Sequence, residues 1–329
     1  MNTSTLATWI HWLNTPARLF RLVLFVLLII YPFVFTQPYL QRLMILIFLY
    51  AMLGQSWNIL GGYAGQVSLG HAMFFGIGAY TSTLLLVKVG ITPWIGMLAG
   101  GLAAVALSQI IGYPCFRLKG HYFVIATIVV AEIVQIAFIN WPWAGGANGI
   151  TFPILPPTWV NFAFYLTKIP YYYVSLALLA SVLLTSFLIE RSKAGFCFRA
   201  IREDPDAARS LGINIFRYKM MAMAVSAFFT GIGGVFYAQF TQFIDPDSVL
   251  PFMLSTLLML IPVLGGIGLL WGAVVGAFIL IPLSEFTRIY LSNVGSALDL
   301  LVYGLLIVLV AVFEPRGLLA LTSRFRNRG

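Results

Sequence analysis

The chain has 329 residues, of which 60% are hydrophobic and only 9% charged, and it carries a net charge of +9. A water-solvated domain carries about 25% charged residues, so this composition, with a mean hydropathy of +0.95, excludes a soluble globular protein. The apolar runs are long and continuous rather than alternating, which points away from a membrane β-barrel and towards an all-α, polytopic integral membrane protein.

Apolar windows predict about ten membrane helices, near 19–36, 39–60, 73–89, 92–113, 121–140, 171–190, 219–243, 251–264, 268–285 and 297–313. Together they read as one transmembrane domain over 1–329. The first window follows Arg18 and Arg21 as a secretory leader would, but no small-x-small cleavage site comes after it. It is therefore read as a membrane helix. Residues 251–264 fall short of the roughly 20 that a straight crossing needs. Pro262, Gly265, Gly266 and Gly268 interrupt that stretch and the next, which makes both candidates for broken or re-entrant helices.

Between the second and third windows, glycine, glutamine, serine and histidine break the oily pattern at Gly62, Gly65, Gln66, Ser68, Gly70 and His71. Irregular backbone at membrane depth requires cover from protein or a polar cavity. Two readings stand: a pore-lining or gating segment, or tight helix packing through small residues with polar groups as interhelical glue. Gly265-Gly266-Ile267-Gly268 is a faint second instance of the same composition, as in internally repeated transporters.

Glu132 falls near the middle of the 121–140 window, where an ionised carboxylate costs about 2.5–3.5 kcal/mol on insertion scales. It is expected to face the bundle interior or to be protonated, as a pathway or helix-bridging residue. The connection over 141–170 is rich in Trp, Pro and Gly, with Trp141, Trp143 and Trp159 suited to an interfacial belt. It suits either an anchored loop or a docking surface.

The one long hydrophilic stretch is 190–219, with 7 basic and 4 acidic residues. Inside it, Asp204-Pro205-Asp206-Ala207-Ala208-Arg209-Ser210-Leu211-Gly212 reads as a complete short helix. Asp204 suits the N-cap and Pro205 the first helical position. Gly212 suits the left-handed residue past the end. Alternating ten spans puts 15 basic residues on the side of this stretch and of both termini, leaving Arg42, Lys88, Lys168 and Arg288 opposite. That bias predicts a cytoplasmic 190–219 loop and cytoplasmic termini. Cys115 and Cys197 fall on the same face, where thiols stay reduced.

No catalytic constellation emerges. The three histidines have no metal-ligand spacing, and there is no Walker A sequence, dinucleotide fingerprint or nucleophile elbow. Active transport would have to draw energy from a partner or from an ion gradient. Sparse charge in the spans, against concentrated charge in one structured loop, favours a partner. The rivals are an ion-coupled secondary transporter working through Glu132 and an integral membrane enzyme using His71 or His121.

GGYAGQVSLGHAMFFGIGAYTSTLL, GGANGI, FRAIREDPDAARSLGINIFRYKMMAMAVSAFFTGIGGVFYA and VYGLLIVLVAVFEPRGLL resemble the LivM-type permease of bacterial branched-chain amino acid ABC importers. In such permeases an EAA-x₃-Gly sequence forms a short helix that docks into the ATPase. Asp206-Ala207-Ala208-Arg209-Ser210-Leu211-Gly212 matches it, with Asp in place of Glu. The resemblance implies an inner-membrane complex with a homologous second permease, two cytoplasmic ATPases and a periplasmic solute-binding protein. ATP and magnesium would sit on the ATPases, with no cofactor on this chain and no nucleic acid among its partners. Implied cargoes are branched-chain or other apolar amino acids, with urea and short amides also carried by relatives.

Overall fold

The computed structural model describes residues 27–118, 120–164, 167–291, 304 and 318–319. Helices dominate it, and among the described residues seven are long and apolar enough to cross a membrane. Most of the expected 297–313 span, the start of the 19–36 span, Lys119 and the basic tail lie outside the described residues.

Helix α1 covers 27–34, and α2, Pro38–Asn58, follows with proline in its first turn, where no N–H is needed. A π-helical turn, Ile59–Tyr63, carries α2 on to 26 residues, about 39 Å at 1.5 Å per residue. Residues 64–70 are irregular, and α3, His71–Leu84, returns with its own π-turn Leu85–Val89 before left-handed Gly90 ends it. Thr92 caps α4, Pro93–Cys115, and α5 is His121–Ile139. After the aromatic loop come α6, Ile169–Arg191, then α7, Lys193–Glu203, and α8, Pro205–Ser210. Asn214 caps α9, Ile215–Thr241. The short α10, Pro246–Val249, leads into α11, Phe252–Gly265, and α12 is Gly272–Leu291.

Helices α2 and α9 form the centre. Of the apolar window of α2, 89% of residues are buried, against 22% for α5. Around this pair, α9 packs on α3 and α4, while α2 packs on α6, α11 and α12. Small residues set the closest approach: a Cβ on Gly78 of α3 would collide with the Gly231 carbonyl of α9. Glycine at such a crossing lets two backbones meet, which is how apolar helices gain contact without a hydrophobic driving force.

The loops sort into two ends. At one, β1 (Ile150–Thr151) pairs antiparallel with β2 (Phe243–Ile244) in the register Ile150↔Ile244. There Trp94 Nε1 also donates to the Trp159 carbonyl at 2.7 Å, and Thr92 Oγ1 to that of Val160 at 2.9 Å. At the other end lie 64–70, the α4–α5 turn, α7, α8 and the 266–271 turn. Pro246–Gly265 therefore runs from one end to the other as a 20-residue crossing, broken at Leu250-Pro251 where α10 meets α11. The apparent shortness of 251–264 disappears once α10, with Asp245 and Ser248 as a capping box, is counted in the crossing.

Candidate coupling site

The site begins with α7, which the sequence reading had absorbed into a loop. Ser192 caps it by accepting from the Gly195 N–H at 3.4 Å. Phe198 and Ile201 are buried on one side, and Phe198 meets Tyr218 of α9 edge-on. Its signal was present: an N-capping serine followed by apolar residues at 198 and 201, three apart.

Helix α8 has the expected ends. Asp204 Oδ1 accepts from the N–H groups of Asp206 (2.8 Å) and Ala207 (3.0 Å). At the far end Gly212 has φ +81°, its N–H donates to the Arg209 carbonyl, and the Ile213 N–H donates to that of Ala208. This pair of bonds is the Schellman arrangement, and it satisfies two carbonyls that the helix itself cannot. Of α8 only Ala208, 2% exposed, faces the protein, while Asp206, Ala207 and Arg209 are exposed and Leu211 is 78% exposed. Nothing lies within 4 Å of a Cβ built on Gly212, so its role is conformational rather than steric.

Arg202, in the last turn of α7, ties this unit to the bundle. Its Nη1 donates to the Gly62 carbonyl at 2.9 Å and its Nη2 pairs with Glu203 at 3.1 Å. The Gly62 carbonyl lies in the π-turn, where the shifted ladder leaves backbone groups open to other partners. Four residues earlier, Asn58 binds the 266–271 turn twice: Oδ1 accepts from Gly268 N–H (2.8 Å), and Nδ2 donates to the Leu269 carbonyl (3.0 Å). Gly62 and Gly268 pack so closely that a Cβ on Gly62 would stand 2.7 Å from Gly268 N. Three separate stretches of chain thus meet at one knot.

Beside the knot is a cavity of about 740 Å³ bounded by Gly65–Val67, the α4–α5 turn and α8. Arg117, Arg202, Arg209 and Lys219 make its wall strongly cationic, with Asp206 opposed. At the opposite end a smaller cavity, about 360 Å³, brings Arg42 and Lys168 together. Burial and the Arg42 guanidinium hold the Lys168 ammonium below the usual lysine range. Among the described residues, no three His, Cys, Asp or Glu side chains converge to hold a metal.

The Gly-rich candidates divide. Gly65 and Gln66 line the large cavity, but Ser68, Gly70 and His71 are packed inside the protein. Ser56 Oγ donates to the Ser226 carbonyl and Ser226 Oγ donates to that of Ser56, at 2.8 and 2.7 Å. With the Ser226 proton spent, His71 Nε2, 2.9 Å from Ser226 Oγ, is assigned as the donor to it. Trp57 Nε1 donates to the Ser68 carbonyl at 2.7 Å and Leu69 N–H to Thr127 Oγ1 at 3.2 Å, so the irregular stretch is held along its length. Ser68 and His71 thus bond across elements, and a Cβ on Gly70 would stand 2.7 Å from the Thr127 carbonyl oxygen. Glu132 does not join this site: it is partly buried on α5, beside the Phe123–Thr127–Ala131 stripe that packs inward.

A family described as the permease component of the branched-chain amino acid transport system matches residues 39–311. The high-affinity branched-chain amino acid permease protein LivM of Escherichia coli K12 is 33% identical, covering 93% of this chain and 75% of its own. LivH of Salmonella typhimurium is 27% identical over 82% of this chain and 91% of its own. The nucleoside ABC transporter permease protein NupC of Lactococcus lactis is 26% identical over 53% of this chain and 59% of its own. No solved structure gives a significant match. With the family matched across most of its length and a LivM relative at one-third identity, the chain belongs to the LivM-type permeases of branched-chain amino acid transport systems.

Proposed function

We propose that this chain is one of two permease subunits in an ATP-driven importer, and that α7 and α8 receive the ATPase. The reading treats residues 1–329 as one permease domain in the inner membrane, with 190–219 and both termini cytoplasmic and 141–170 periplasmic. The observation that carries it is α8 itself: a helix capped at both ends, touching its own protein through Ala208 and offering Asp206, Ala207, Arg209 and Leu211 outward. Such a helix spends its stabilising interactions on holding its own shape rather than on burial, which suits a rigid handle for another protein. ATP and magnesium belong to the two ATPases, and a periplasmic solute-binding protein delivers the cargo.

A pull or push on α8 reaches the bundle through Arg202, whose guanidinium grips the Gly62 carbonyl beside the contact of Asn58 with the 266–271 turn. The Gly65-Gln66 edge of the cationic cavity moves with that knot. The cargo class is branched-chain or other apolar amino acids. A nucleoside permease is among the similar proteins, so the shared framework is compatible with more than one cargo class.

Co-purification from native membranes, with mass spectrometry of what stays bound, tests the reading. Two ATPases and a second permease are expected. Recovery of this chain alone, transporting without ATP and failing on Glu132→Gln, would overturn it in favour of ion coupling.

A further inference from the structure

Among the described spans, three have the smallest buried shares, and they differ in what they turn outward. Helices α4 and α6 have buried shares of 44% and 28%, and α5 has the lowest at 22%. Outward residues of α4 include Ile95, Leu98 and Leu102, and those of α6 include Leu184 and Leu188. No charged residue occurs in α4, and in α6 charge is confined to its last two residues. Both faces are suited to lipid. Helix α5 also turns Ile125, Val129, Ile133 and Ile136 outward, but Glu132 borders that face, partly exposed and eleven residues from the helix start. Among the described residues, no hydrogen bond or ion pair reaches Glu132. Gln135 on the same helix is already committed to Asp247 at 3.0 Å.

A carboxylate at that depth cannot be left against hydrocarbon without a large cost, and an intramembrane ionisable group faces protein or a water-filled cavity. Among the described residues, none supplies the cover. We infer that the outward face of α5 is the contact surface for the second permease subunit, which meets Glu132 with a cationic or hydrogen-bond-donating side chain. This surface rests on the two-permease reading above. Apolar isoleucines and valine around one charge give the pattern of a membrane helix contact: packing supplies area, and the polar pair fixes register.

The test uses the full complex in its native membrane, with a photo-crosslinking amino acid at Val129 or Ile133 and, for comparison, at Leu184 or Leu188. Adducts to the second permease are expected from the α5 positions and lipid adducts from the α6 positions. Glu132→Arg is expected to lower recovery of the second permease about tenfold or more, because it sets a cationic donor against a donor or a like charge. Its membrane abundance is measured alongside, and crosslinking in the otherwise unaltered chain keeps the test independent of that variant's folding. Adducts from α5 to lipid alone, or to another copy of this chain, would overturn the surface, as would capture of the second permease by α6. If ATPases and second permease are recovered without an α5 adduct, the surface fails alone. If neither is in the membrane, the two-permease reading fails and takes the surface with it.

Discussion

At Gly212 a single backbone angle separates coupling from folding. Its φ of +81° lies where an L-residue pays roughly 1–2 kcal/mol, and nothing crowds the position. Gly212→Val is therefore expected to unravel the end of α8 and reduce transport per ATP hydrolysed, with membrane abundance nearly unchanged; Gly212→Asn is expected to be milder, since Asn tolerates this region. Ser226→Ala should behave oppositely. It strands the His71 Nε2–H inside the bundle and removes the second bond to the Ser56 carbonyl, an expected loss of about 1–2 kcal/mol that thermal unfolding in detergent would register. At the other end, Arg42→Gln removes the like charge that helps depress Lys168. The lysine pKa then rises, its free-amine fraction at a given mildly alkaline pH falls, and competitive amine labelling of Lys168 should slow. An unchanged labelling rate would mean that burial alone sets the shift.

Among elements, the knot of α7, the π-turn and the 266–271 turn carries the most consequence. Arg202→Ala deletes the side chain that joins α7 to Gly62 but leaves the caps of α8 intact. The ATPase should still bind and hydrolyse ATP while transport falls, by about ten- to a hundredfold if the charge-assisted bond contributes 1.5–3 kcal/mol to transmission. Equal losses of ATPase binding and transport would instead make Arg202 part of the docking surface. Sequence made α8 legible because a cap, a proline and a glycine at fixed spacing are local signals. The knot was not legible, since each of its members is ordinary alone: Arg202 is one of 7 cations in its stretch, and Asn58 is one polar residue closing an apolar run. Their meeting depends on contacts across 140 and 210 positions of chain.

Over the whole molecule, hydropathy located each end of the described spans to within about six residues, because length and apolarity are what a bilayer demands of any crossing helix. Hydropathy says little about which helix is central. Helices α2 and α5 are both strongly apolar, yet one is enclosed and the other peripheral; mean hydropathy is actually higher for α5, 2.3 against 1.7. The difference lies in small residues that let particular pairs approach. Gly231 of α9 faces Gly78 of α3 and also stands against α4, where an added Cβ would lie 2.7 Å from Ala104 Cβ and 3.0 Å from the Gly100 carbonyl. Three helices therefore share one point of closest contact, and both faces of it are backbone, which cannot rotate aside as a long side chain can. Gly231→Leu should force α3, α4 and α9 apart, lowering membrane abundance and unfolding temperature together. Gly212→Val, a β-branched residue at an open position, should lower neither. If the two variants lost protein equally, α8 would be part of what folds the bundle rather than a handle fixed to it.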